Sequence, residues 1–62
     1  MLIDNFIKGL LIIQSKGNSD YTFQHDIMYI GNLNDYSKDE LAELADLGFH
    51  MDIAEECLIT YS

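Results

Sequence analysis

Cys57, His25 and His50 are the residues of this chain whose types could carry covalent chemistry. A thiolate nucleophile needs a base beside it and a group that orients the base, all held in a cleft. One Cys, two His and nearby carboxylates supply such a set on paper, but their sequence settings argue against it. Cys57 stands beside Leu58 and Ile59 in an apolar run, where a lone thiol behaves as a small buried hydrophobe. His25 falls into an alternation with Tyr21, Phe23, Ile27 and Tyr29 that reads as one face of a strand. A metal site would draw on the same few residues, and no C-x-x-C or H-x-x-x-H spacing is present. Asp52, Glu55 and Glu56 lie close together but lack the alternation and glycine of a calcium loop. Gly9, Gly17, Gly31 and Gly48 are isolated, so there is no glycine-rich phosphate loop. The expectation is a non-enzymatic protein with no cofactor and no metal.

A second constellation carries charge. Asp39, Glu43 and Asp46 fall at i, i+4 and i+7 of a helix-forming segment, a stripe of like charge. Such neighbours repel by a few tenths of a kcal/mol each. Asp46 also sits at the unfavourable end of the helix dipole, which costs about 0.3–1 kcal/mol. A stripe kept at that cost suggests positive charge opposite it. The whole chain agrees: three Lys, no Arg and 11 acidic residues leave a formal charge of −8. Three scattered lysines cannot neutralise a phosphate backbone, so direct nucleic-acid binding is not expected, nor is binding to an anionic membrane. An acidic surface suits a partner protein with a basic surface, with charge steering the encounter. The competing reading is a solvated helix face whose charge only keeps the protein soluble.

The elements that must position these residues belong to one domain, residues 1–62. A chain this short buries only about 60 % of its unfolded surface. With 48 % hydrophobic residues it has ample material for a core and is not disordered by composition. A single cysteine allows no intramolecular disulfide. Met1-Leu2-Ile3-Asp4 has neither the basic leader nor the cleavage site of a signal peptide, and Leu10–Ile13 is too short to span a bilayer. A cytoplasmic location is expected.

Residues 2–16 read as an amphipathic helix. Leu2, Ile3, Phe6, Ile7, Leu10 and Ile13 share one arc, and Asp4, Asn5, Lys8, Gly9, Ser15 and Lys16 lie opposite. Gly17 supplies the C-terminal stop. Ile12 breaks the pattern by falling within the polar arc, with Leu11 at its border, so these two are candidate contact residues. Residues 21–30 read as one strand, followed by turn residues through Asp35. Ser37-Lys38-Asp39-Glu40 is a capping box, flanked by Tyr36 and Leu41 as a hydrophobic staple. The helix it opens runs to Leu47, with Gly48 at C′ and Phe49 closing a Schellman turn on Leu44. Phe49 to Tyr61 reads as a hairpin around a polar turn near 52–55. The order is helix, strand, helix, strand, strand. This is an α+β fold: a small three-stranded, mainly antiparallel sheet with two helices on one face.

Two stretches resemble a family of small acidic bacteriophage and prophage proteins of unassigned function. One is the strand His25-Asp26-Ile27-Met28-Tyr29. The other is the capping-box helix from Ser37 to Leu47-Gly48-Phe49, then an acidic turn and a closing strand. Phe49 stands where those relatives carry Trp, and Leu58 or Tyr61 stands for the aromatic of their last strand. The family has no activity to transfer, so no residue role carries over. The resemblance implies a viral protein acting in the host cytoplasm, often by blocking host machinery. With the charge pattern, it gives the expectation of a non-enzymatic inhibitor of a host nucleic-acid-acting or defence protein. Asp39, Glu43 and Asp46 would form its protein-binding surface, and Leu11 and Ile12 a second contact or a homodimer surface. The alternative is a structural or assembly module forming a homo-oligomer.

Overall fold

A computed structural model describes residues 2–18 and 20–61 of the chain. Its elements are helix α1 (Ile3–Ser15), strands β1 (Tyr21–Gln24) and β2 (Ile27–Ile30), a 3₁₀ turn (Leu33–Asp35), helix α2 (Lys38–Asp46), and strands β3 (His50–Asp52) and β4 (Cys57–Tyr61). Helix α2 forms as its sequence specifies. The Ser37 amide donates to Glu40 Oε1 at 2.8 Å, and the Glu40 amide donates to Ser37 Oγ at 3.2 Å. At the other end the Phe49 amide reaches the Leu44 carbonyl at 2.8 Å and the Gly48 amide the Ala45 carbonyl at 3.0 Å. That pair of bonds is the Schellman motif, with Gly48 in the left-handed region at φ 99°.

The expected single strand over residues 21–30 is instead a hairpin, so the sheet has four strands rather than three. His25 and Asp26 form the two-residue connection with φ of 51° and 67°. Positive φ at both central positions is the signature of a type I′ turn, whose twist matches that of the flanking strands. His and Asp are among the side chains that tolerate this region best. The turn also reassigns faces: Tyr21 and Phe23 pair with Ile30 and Met28 and share their face, while Ile27 and Tyr29 point the other way. The sheet is antiparallel throughout, in the order β1-β2-β4-β3. Ile13 of α1 and Leu44 of α2 join Met28, Ile30, Tyr36, Phe49 and Leu58 in one core, so both helices cover the same face of the sheet.

Helix α1 does not bury the middle of its apolar arc. Gly9 and Ile13 are its buried residues, with Phe6, Leu10 and Ile12 half-buried beside them. Relative to the arc read from the sequence, the helix is turned by roughly 65° about its axis, counting 100° per residue. Phe49 causes this, because its ring packs at Gly9 and stacks on Phe6 with centroids 5.9 Å apart. The rotation half-buries Ile12, against the expectation of an exposed residue, and packs it on the core. It also leaves Ile3, Ile7 and Leu11 exposed. Beyond the C-terminal end of α1, Lys16 Nζ meets Glu40 Oε2 at 2.6 Å and ties the two helices together.

Candidate functional site

The structure does not bring the nucleophile and both imidazoles together. His25 lies at the tip of the β1–β2 hairpin, exposed, next to the end of β2 that pairs with Tyr61. Cys57 lies at the other end of β4, opposite Asp52. His50 is exposed on the edge strand β3, opposite Ile59. Burial pushes the Cys57 thiol above its ordinary range, the charges of Asp52 and Glu55 push the same way, and a backbone hydrogen bond at Ile30 opposes them. A reactive cysteine needs the opposite setting, cationic and thiolate-stabilising. Among the described residues, no three His, Cys, Asp or Glu side chains converge to hold a metal ion.

Asp39, Glu43 and Asp46 are all exposed on α2. The helix carries acids in its first turn and no base in its last, so Asp46 has no cation of its own helix nearby. Glu40, on the flank, is engaged by Lys16, whose ammonium together with the Ser37 amide holds the carboxyl below its ordinary 4.5. Helix α2 packs against β3, so the stripe stands at one edge of the sheet.

An apolar groove lies toward the other edge, between α1 and β1. It is open to solvent, with a volume of about 520 Å³. Ile7, Leu10 and Leu11 form its helix wall, Tyr21 and Phe23 its strand wall, and Met28 and Ile30 its floor. A second groove of about 250 Å³ adjoins it, sharing Phe6, Phe23 and Met28 and extending to Leu2 and Ile3. Tyr21 and Phe23 contact edge to face, with centroids 5.6 Å apart, and over half of each side chain faces solvent. Leu11 belongs to this groove as a candidate contact. Ile12 does not line it.

Sequence reading missed Tyr21 and Phe23 because a continuous strand assigns them to the face of Ile27 and Tyr29. The polar step Gln24-His25-Asp26 was the available signal for a turn. The outer sheet face is apolar as well: Ile27 lies opposite Tyr61, and Tyr29 opposite Ile59.

Comparison of the chain with family models, with characterised proteins and with solved structures finds no match. Among the described residues, no helix is long and apolar enough to cross a membrane.

Proposed function

We propose that the chain is a non-enzymatic protein-binding protein whose acidic surface engages a basic partner, acting as a phage-encoded inhibitor of a host nucleic-acid-acting or defence protein. The exposed stripe Asp39, Glu43 and Asp46 on α2 carries this reading. Helix α2 holds four acids against the single base Lys38, and the chain as a whole is at −8. A surface of one sign raises the encounter rate with a basic partner and disfavours acidic ones. The carboxylates are exposed, so dissolved ions screen their attraction to a basic partner and binding weakens as salt rises.

The test is affinity capture from a host lysate at about 150 mM and then ~500 mM salt, where exposed charge pairs are strongly screened. One basic protein held at low salt and lost at high salt is the expected result. The same capture with Glu43→Lys and Asp46→Lys together should fail at either salt. Retention of that protein by the reversed variant removes the stripe from the site. The second reading, a structural or assembly module with a merely solubilising acidic surface, is favoured by the apolar groove at the opposite edge. It predicts no basic protein held at either salt.

A further inference from the structure

We propose that the α1–β1 edge is a self-association surface, where two copies join their sheets antiparallel through β1 and cover each other's groove. The proposal holds under either reading of the acidic face, because the two surfaces stand at opposite edges of the sheet.

The backbone of β1 is the first observation. In a two-residue hairpin the closing pair, Gln24 and Ile27, is hydrogen-bonded, and bonded and non-bonded pairs then alternate along the ladder. Gln24 and Thr22 therefore direct their amides and carbonyls inward to β2. Tyr21 and Phe23 direct theirs outward, along an edge that no strand occupies among the described residues. Natural edge strands are defended by Lys, Pro, a bulge, inward charge or a covering element. Tyr-Thr-Phe-Gln contains no charge and no proline, and its register with β2 is unbroken. The opposite edge, β3, is only three residues long, carries Asp52 and packs against α2.

The side chains supply the second observation. Leu2, Ile3, Ile7, Leu11, Tyr21 and Phe23 are each between 49 % and 76 % exposed. At roughly 100 Å² apiece they form a patch on the order of 600 Å², the upper end for a typical monomer. A standard interface removes about 800 Å² from each partner, so this patch and the strand edge beside it approach what a stable pair needs.

A second copy fits this surface because antiparallel edge pairing is self-complementary about a two-fold axis. With the axis at Thr22, Tyr21 stands opposite the partner's Phe23 and exchanges both outward hydrogen bonds with it. The four aromatic rings then fall on the helix side of a continuous eight-stranded sheet, beneath Ile7 and Leu11 of both helices. In this register Asp20 faces the partner's Gln24, so no acid meets an acid across the strands. The α2 stripes lie at the far ends, and the repulsion between two chains of −8 is screened over about 8 Å at physiological ionic strength. Added salt therefore strengthens this contact, whereas it weakens the acidic contact proposed above.

Sedimentation velocity of the full chain tests the pairing from ~10 to ~300 µM, the range that resolves micromolar dissociation constants. A concentration-dependent rise from 7.1 kDa to twice that mass, favoured by ~500 mM salt, is expected. Phe23→Lys should raise the dimer dissociation constant by at least about tenfold, and His50→Lys on the far edge should leave it unchanged. Should Phe23→Lys fail to fold, amide exchange of the native chain decides. The Tyr21 and Phe23 amides should become protected as concentration rises. A monomer at every concentration and salt overturns the proposal, as does a dimer in which those two amides exchange at unchanged rates.

Discussion

The ring of Phe49 lies against the backbone of α1 at Gly9, where an added Cβ would overlap three ring carbons. Phe49 is fully buried and stacks on Phe6 from the same helix, so the ring is held between core and helix. This one contact fixes how α1 is rotated on the sheet, and therefore which of its apolar residues stay outside.

Gly9→Ala tests that relationship because two effects on stability oppose each other. Helix propensity alone favours Ala over Gly by about 1 kcal/mol. Overpacking against a fixed ring costs about 1–3 kcal/mol. The expected outcome of a urea titration is net destabilisation, partly recovered when Phe49→Leu is combined with Gly9→Ala. A Gly9→Ala protein more stable than the parent would show that the ring is not held there.

The caps of α2 were legible in the sequence because each depends on residues within six positions of one another. Ser37 and Glu40, then Leu44, Gly48 and Phe49, needed no tertiary information. The rotation of α1 was not legible, since it depends on Phe49, some forty residues away. Read alone, Gly9 is a weak helix residue on a polar face, and Ile12 an exposed one. The split of residues 21–30 was partly legible: alternation continues through His25 and Asp26 on paper, while their tolerance of positive φ marks the turn. The acidic stripe was visible as spacing. The groove was not, because its two walls come from different elements.

Glu40 both closes the capping box and binds Lys16, and its carboxyl is held below its ordinary value of 4.5. A carboxyl depressed in the folded state adds stability above its unfolded pKa and loses it as pH falls through the folded value. Glutamine still fits the capping box, so Glu40→Gln removes the charge and keeps the cap. The stability gap between parent and variant should be full at neutral pH and close as pH falls below 4.5. Because the carboxyl is exposed, ~500 mM salt should narrow the gap as well. A gap constant from pH 7 to pH 3 would show that the charge contributes nothing.

Glu56 ends the β3–β4 turn with φ of 56°, a region that L residues other than Asn, Asp and His seldom adopt. Its amide donates to the Ile53 carbonyl at 3.3 Å and its carbonyl accepts from the Leu33 amide at 3.0 Å, so the backbone is held in place from both sides. Glycine removes the steric cost of the left-handed region at some cost in chain entropy. Glu56→Gly should therefore stabilise the protein by about 0.5–1 kcal/mol in thermal unfolding. A lowered midpoint would mean that the Glu56 side chain contributes more than its backbone strain costs.

Cys57 should behave as an inert thiol. Burial first, then the charges of Asp52 and Glu55, raise its pKa above the ordinary 9.0, and only the thiolate attacks an alkylating agent. Iodoacetamide should modify the folded chain at pH 8 several-fold more slowly than the unfolded chain in urea, where the pKa returns to its ordinary value. The rate should still be rising at pH 9. Linkage gives the same sign: a thiol whose pKa is raised by folding adds stability below the unfolded pKa and loses it as pH rises through the folded one. Cys57→Ala removes this alkaline loss, so parent and variant should diverge in unfolding midpoint only above about pH 8.5. A folded-state alkylation rate that reaches its plateau at neutral pH would mark an activated thiolate. Cys57 would then return, with Asp52 and His50, as a candidate for chemistry.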